Sequence, residues 1–330
     1  MKKYLIGIFA LLLLLNIFSC SSSPTAMKVG TIRIDASEYA YYLNYNRLNL
    51  DNLSSAGVLP GEGELLAQAR SQTEQQIERY SIIRLECQKL GLELSFEQKS
   101  QMEEEKQQLI DSLGGLYGYL EYLRSNALTD RLYDKLQENN HYYAMLYEYV
   151  TSGEDSGVYT DQQLRQYFAD NYIKVKYIRF STLDQSGSLL EEDELNGILE
   201  TAESVLESIQ SGQMTFDEAM SLYNDDPIMT ASPGGITVSA QDGGTEYIAD
   251  AFELSDSETG GVYAYSDGFY ILNRQAVDLG YFDENRDQIT STARDWAFDN
   301  YLSSASQNVA VSKNSVCGKI TFENLFDYVK

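Results

Sequence analysis

Residues 172–275 set the strongest constraint on the fold of this chain, because strand and helix signals alternate there in a fixed order. Tyr172–Phe180 is a strand-like run (YIKVKYIRF), and Glu192–Ser211 is an amphipathic helix. Gly212–Phe216 leads into a shorter helical stretch, Asp217–Tyr223, and then the corner Asn224-Asp225-Asp226-Pro227. The pair Gly234-Gly235, the segment Tyr247–Phe252, Gly260-Gly261-Val262 and a closing strand, Gly268–Leu272, complete the order. The segment holds no histidine.

The first twenty residues give the address. Lys2 and Lys3 form a short basic region, and Tyr4–Phe18 is almost wholly apolar. About fifteen apolar residues fall short of a ~30 Å hydrocarbon core, so the pattern predicts a secretory signal over 1–19 instead of a spanning helix. Ser19 precedes Cys20, and Ser21-Ser22-Ser23-Pro24 follows. A small residue before a cysteine at this place resembles a bacterial lipobox, which implies that Cys20 is lipidated and becomes the mature N-terminus. Acyl chains contribute about 0.8 kcal/mol per buried CH₂, so such a cysteine anchors a protein stably without a transmembrane segment. The expected location is extracytoplasmic, lipid-anchored to the bacterial cell membrane.

Composition excludes several classes. Without Lys2 and Lys3 the chain has 22 basic residues against 50 acidic ones. Such a field repels nucleic acid and anionic membrane surfaces. The single histidine, His141, has no nucleophile arranged around it, and there is no Cys-x-x-Cys, calcium-loop spacing or glycine-rich phosphate loop. No cofactor and no metal are expected. Cys87 lies in a helical pattern and reads as a small core residue; whether it pairs with Cys317 is open at this level. The 26 tyrosines cluster at Tyr41-Tyr42-Tyr45 and Tyr142-Tyr143-Tyr147-Tyr149. Tyrosine gives a large contact area with a polar tip, suiting either half-buried helix positions or an adaptable protein-binding surface.

The rest of the chain is predicted to be mainly helical. Lys28–Ile34 alternates like a strand, and Ser37 is positioned to cap a following helix with Tyr41, Tyr42, Tyr45 and Leu48. Helices are expected over Glu64–Lys89, ending at Gly91, and over Phe96–Leu113, capped by Ser95, with a face of Phe96, Met102, Leu109, Ile110 and Leu113. Gly114-Gly115 breaks the pattern before helices Tyr117–Ser125 and Thr129–Val150. Ser152–Gly157 reads as a linker, and Thr160 with Gln163 as a capping box opening Asp161–Asn171. A last helix, Phe282 to about Gln307, carries Ile289, Ala293, Trp296, Ala297, Tyr301 and Leu302. Its most economical partner is the N-terminal helical set, since one amphipathic helix cannot bury its stripe alone. The tail is expected to form a strand over Gly318–Phe322 and a terminal turn. The fold class is α+β. Its predicted divisions are 1–19 signal, 20–27 lipidated cysteine and tether, 28–155 N-terminal helical domain, 156–277 inserted β-α-β domain, and 278–330 C-terminal helix and tail packing on the N-terminal domain.

The order quoted for 172–275 resembles the parvulin-type prolyl isomerases, an FKBP-like fold. The whole layout, with Ile34-Asp35-Ala36-Ser37-Glu38-Tyr39 opening the first helix and Trp296 in the last, resembles the PrsA-type foldase lipoproteins and SurA-type chaperones. The resemblance implies a helical chaperone domain formed by the N- and C-terminal segments, with a parvulin-like domain inserted. Parvulins use two histidines in a hydrogen-bonded network beneath the amide; Tyr177 and Tyr270 stand at those positions, and two phenols can hydrogen-bond to each other. Where the resemblance implies a polar cysteine or aspartate after the glycine pair, Ile236 follows Gly235. Tyr247 matches the aromatic of the proline pocket and Phe252 the next one, Gly243 stands where Met or Leu is expected, and Asp267 keeps a polar residue at the mouth. Tyr247, Phe252, Phe269 and Tyr270 read either as a shallow aromatic groove for peptide or as ordinary core.

These positions imply a membrane-anchored chaperone that holds unfolded secreted polypeptides in a tyrosine-rich cleft, with weak or no isomerase activity. The alternative is an active parvulin-type peptidyl-prolyl cis-trans isomerase that works with tyrosines, and a third reading is a surface protein with one dedicated partner. A homodimer is compatible with the pattern.

Overall fold

A computed structural model describes residues 23–54, 62–152, 160–242 and 245–329. The signal, Cys20, most of the 57–63 loop, the linker after Ser152 and Gly243 lie outside the described residues. The fold is α+β, with many helices and two small antiparallel sheets. It divides into two compact units, one drawn from Met1–Ser152 with Phe298–Lys330, the other from Gly153–Ala297. No helix among the described residues is long and apolar enough to cross a membrane.

The first unit begins with a hairpin where the sequence pattern predicts one strand. β1 (Thr25–Val29) and β2 (Ile32–Asp35) pair antiparallel through the two-residue turn Gly30-Thr31. Gly30 has φ +55°, and a Cβ there would lie 3.0 Å from a Leu85 methyl, so both backbone and space call for glycine. Since β1 starts at Thr25, the last residues assigned to the tether belong to this sheet. Its third strand, β7 (Val311–Lys313), pairs with β1. The predicted strand at Gly318–Phe322 does not form; Cys317–Lys319 is a 3₁₀ turn, and the sheet's free edge is taken by β7 instead.

Helix α1 (Ala36–Ser54) starts two residues earlier than Ser37 would allow as a cap. Asp35 is the cap: its Oδ1 accepts from the Ser37 and Glu38 amides at 3.1 and 3.0 Å and from the Ser37 hydroxyl at 2.6 Å. Helix α2 (Glu62–Leu90) stops at Gly91, φ +68°. The capping box at Ser95 and Gln98 opens α3 (Phe96–Ser112). Phe96 is not part of the packed face of α3; it is 81% exposed, and Met102, Leu109, Ile110 and Leu113 are half-buried. Helices α4 (Leu116–Ser125) and α5 (Asp130–Ser152) follow.

Tyr39, Leu43, Ile77, Ile83, Leu146 and Phe298 fill the core of this unit. The Phe298 ring meets Tyr143 and Tyr147 edge-on, each at 5.2 Å. Several tyrosines singled out in the sequence are thus half-buried packing residues. Cys87 and Cys317 are both buried and free, so no disulfide joins them; burial pushes the Cys87 thiol up to about 11. Glu38 is buried against Lys135, whose Nζ donates to it at 2.6 Å.

In the second unit α6 (Asp161–Asn171), opened by the Thr160–Gln163 capping box, runs directly into β3 (Tyr172–Ser181). After it come α7 (Glu192–Gln210), α8 (Phe216–Tyr223), α9 (Pro227–Ala231), β4 (Ile236–Ser239), α10 (Tyr247–Glu253), β5 (Thr259–Tyr265) and β6 (Gly268–Gln275). The sheet order is β4-β3-β6-β5, antiparallel throughout.

The predicted helix Phe282–Gln307 is interrupted at Asn285, giving α11 (Leu279–Glu284) and α12 (Arg286–Ser306). Its stripe does not pack wholly on the N-terminal set. Phe282, Ile289 and Ala293 form a core with Leu164, Phe168 and Tyr172, and Trp296 lies 5.7 Å from Tyr167. Phe298 and Leu302 belong to the core of the first unit. The 3.6-residue period identified the apolar face of this segment but carried no information on which core each turn enters.

Phe298→Ala removes the ring that Tyr143 and Tyr147 pack against, and should destabilise the chain by about 3–5 kcal/mol in urea unfolding. A loss under about 1 kcal/mol would show that this packing contributes little.

Candidate functional site

The β3–β6 register decides which side chains share a face. Tyr177 lies opposite Leu272 and Arg179 opposite Tyr270, so alternation puts Tyr177, Arg179 and Tyr270 on one face of the sheet. Across β5–β6, Tyr263 opposes Tyr270 and Tyr265 opposes Gly268, which adds both tyrosines to that face. Phe269 is the neighbour of Tyr270 in sequence and therefore points to the opposite face. It cannot share a groove with Tyr270, contrary to the grouping suggested by the sequence.

Tyr247, the first residue of α10, covers this face and is buried. Its ring centroid is 4.9 Å from Tyr177 and 5.9 Å from Tyr270, and Tyr177 and Tyr270 are 5.3 Å apart. Tyr265 meets Tyr270 edge-on at 5.2 Å and stacks with Tyr263 at 6.2 Å, the planes 3° apart. Five tyrosines, four on β3, β6 and β5 and one on α10, thus form a row in which each ring is in aromatic contact with at least one other.

The Tyr177 and Tyr270 hydroxyls are engaged elsewhere than with each other. Tyr270 donates to Asp267 at 3.1 and 3.2 Å, and Tyr177 to Asp226. Tyr265 donates to Asp250 at 2.6 Å. The link expected between the two phenols is therefore a ring contact. Burial raises the pKa of all four tyrosines Tyr177, Tyr247, Tyr265 and Tyr270. Asp226 adds to the effect at Tyr177, Asp250 at Tyr265 and Asp267 at Tyr270, because each neighbouring negative charge opposes formation of a phenolate.

A polar centre is present, supplied by residues that the sequence reading passed over. Asp226 is 6% exposed and caps α9, its Oδ1 accepting from the Ile228 amide at 2.6 Å. Arg179 reaches Asp225 at 2.9 Å, Asp226 at 3.3 Å and Asp267 at 3.1 Å. One guanidinium thus ties β3 to the loop before α9 and to the β5–β6 turn. The corner Asn224-Asp225-Asp226-Pro227 was visible in the sequence; the arginine was not, because nothing local links it to aspartates 46 and 88 residues away.

The other expected positions are placed as follows. Ile236 opens β4 opposite Val175, half-buried and packed on the core of this unit. Gly235 before it has φ +89°, and a Cβ would sit 3.0 Å from the Val175 carbonyl, so the glycine is set by the turn into β4. Phe252 is half-buried on the same core, its carbonyl accepting from Arg274 at 3.0 Å. Asp267 sits in the β5–β6 turn as a ligand of Arg179. The structure brings Tyr177, Tyr247, Tyr270 and Asp267 together, with Phe252 at the edge of the same core. Among the described residues, no group of three or more His, Cys, Asp or Glu side chains is placed to hold a metal ion.

No family model matches the sequence, and no curated protein matches it. Solved structures similar to it in fold are foldases and chaperones. The peptidylprolyl isomerase PrsA of Bacillus cereus aligns over 91% of this chain and 98% of its own, with 13% identity and a TM-score of 0.39. PrsA of Bacillus anthracis covers 70% of this chain and 94% of its own, at 14% identity and a TM-score of 0.36. A SurA-like chaperone of Campylobacter jejuni aligns over 89% of this chain and all of its own, at 9% identity and a TM-score of 0.31. At these identities and TM-scores the likeness carries no argument about this chain.

Two outcomes follow from the geometry. Arg179→Met leaves Asp226 buried without its cation, and with partial solvent screening of the others should cost about 3 kcal/mol of stability in urea; an unchanged midpoint would show that the arginine does not hold the loops. Free tyrosine ionises near pH 10, and the native state holds Tyr177, Tyr265 and Tyr270 above that. Above pH 10 the native state then binds more protons than the unfolded one, so stability falls as pH rises, while below pH 10 these groups contribute no pH dependence. Tyrosinate absorbance in the ultraviolet should appear together with loss of near-ultraviolet circular dichroism; ionisation of all tyrosines well before unfolding would contradict it.

Proposed function

We propose that the chain is a lipid-anchored extracytoplasmic chaperone of foldase type that holds unfolded secreted polypeptides, and that its parvulin-like unit has weak or no isomerase activity. The observation that carries the reading is the tyrosine-covered sheet face. Isomerising a prolyl bond means lowering a ~18–20 kcal/mol rotational barrier with no bond made or broken, so a catalyst must desolvate the amide and favour its twisted state. Here Tyr177 and Tyr270, with raised pKa values and hydroxyls held by Asp226 and Asp267, cannot donate and accept interchangeably as an imidazole pair does. On the same face Tyr263 and Tyr265 are half-buried and leave apolar area with polar tips on β5, which suits holding a chain.

The anchor rests on Lys2, Lys3, the apolar stretch Tyr4–Phe18 and Ser19-Cys20. Lipidation at Cys20 places the protein outside the cell membrane, facing secreted chains as they emerge. The partners of this reading are unfolded polypeptides and the membrane, with a homodimer as a further possibility of assembly.

A second reading, an active isomerase, draws on one observation: the buried Asp226 carboxylate lies beside Tyr177, as a polar group against an otherwise apolar face. Protease-coupled turnover of a short Xaa-Pro peptide decides between the two. Under the chaperone reading, turnover stays at the uncatalysed rate and the protein from Ser21 onward suppresses aggregation of an unfolded client at several-fold molar excess. Turnover that disappears on Tyr247→Ala would establish the enzyme instead. Cys20→Ala should release the protein from the membrane fraction; unchanged membrane retention would remove the lipid anchor.

A further inference from the structure

The tyrosine row that begins at Tyr177 ends on β5, beyond which no further strand lies among the described residues. β5 is an edge strand, as are β4 in the same sheet and β2 and β7 in the other. At seven residues it is the longest of the four, and its sequence, Thr259–Tyr265 (TGGVYAY), has no charge and no proline. β2 and β7 carry Arg33 and Lys313, the usual means of blunting an edge. Among the described residues no backbone hydrogen bond engages the outer side of β5.

The register shows which groups are free. Ser266-Asp267 is a two-residue turn, so Tyr265 and Gly268 form the closing hydrogen-bonded pair, and bonded pairs alternate with unbonded ones along the ladder. Tyr263–Tyr270 is bonded; Ala264–Phe269 is not. The N–H and C=O groups of Ala264 and Val262 therefore point outward, and Ala264 is exposed. Tyr263 and Tyr265, half-buried and parallel, flank Ala264 on the α10 face. A register shift between Thr259 and Val262 closes the far end of the edge.

Charge indicates what kind of chain would be accepted. Residues Gly153–Ala297 contain 28 acidic and seven basic residues, a net −21 of the chain's −26. Arg165, Lys176, Arg179, Arg274 and Arg286 are each paired with aspartates within this unit, so these cations offer nothing to an anionic partner. Near the edge itself, Glu246 accepts from the Ser266 amide, Asp250 from Tyr265, and Glu258 directly precedes β5.

We infer that the open edge of β5 binds an extended, lysine- or arginine-bearing polypeptide segment as an added strand. Hydrogen bonds to Val262 and Ala264 supply the register, alternate apolar side chains lie on Tyr263 and Tyr265, and the basic residues meet the acidic field. The inference rests on the chaperone reading and names the chemistry of the segment held.

The test uses the full chain in detergent micelles and a fluorescent peptide of alternating lysine and valine, followed by anisotropy. Binding is expected, with no binding of the glutamate-for-lysine analogue. N-methylation of alternate peptide amides, which removes the donors of one edge, should weaken binding by about tenfold or more. Ala264→Pro should do the same, since its lost N–H faces outward and the β5–β6 ladder is spared. Hydrogen exchange at the Val262 and Ala264 amides should slow on binding. Equal affinity for the N-methylated peptide, or unchanged exchange at both amides, would overturn the inference, and neither result depends on a variant that must fold. If either occurs while the wild type still suppresses client aggregation, only the edge assignment falls; loss of that suppression instead removes the chaperone role.

Discussion

Arg179 makes the interaction on which the second unit depends. Its guanidinium meets Asp225, Asp226 and Asp267, joining the central strand to a helix-capping corner and to a hairpin turn. The arginine is only one-fifth exposed, and Asp226 less than that. Neither charge tolerates burial alone; together they fix the loops against the sheet. The tyrosine face follows, since Tyr177 and Tyr270 donate to two of the same aspartates and receive their orientation from them.

That arrangement gives an active-site-like position a different physical character. An imidazole changes charge near neutral pH. A buried phenol next to a carboxylate stays neutral through the whole physiological range, and its hydroxyl donates in one direction. The face is thus uniform in charge state, and of its five tyrosines only Tyr263 and Tyr265, on β5, are half-buried instead of buried.

Local signals were legible in the sequence and long-range partnerships were not. The cap at Ser95, the capping box at Thr160, the stop at Gly91, a helix over Glu192–Ser211 and a strand over Tyr172–Phe180 were all read from residues within a few positions of each other, and the structure has an element at each place. The hairpin at Gly30-Thr31 was missed because alternation continues through a two-residue turn, and the cap fell to Asp35 instead of Ser37 because both residue types suit the position. At the site, Tyr177, Tyr247, Tyr270 and Asp267, each named from the sequence, lie together in the structure. The separation of Phe269 needed the strand register, and the roles of Arg179 and Asp226 needed the tertiary fold.

The pairing of cations within residues 153–297 has a further consequence. With Arg165, Arg179, Arg274 and Arg286 tied to its own aspartates, the unit presents solvent mainly with carboxylates, and so behaves as a small polyanion. Mobile counterions become part of its thermodynamics: cations gather around it, and a basic chain that docks must displace them. Salt then acts as a competitor for the bound chain, with screening over about 8 Å at physiological ionic strength. For the basic segment inferred to bind the β5 edge, ionic strength would then set how firmly it is held, without any movement of the fold.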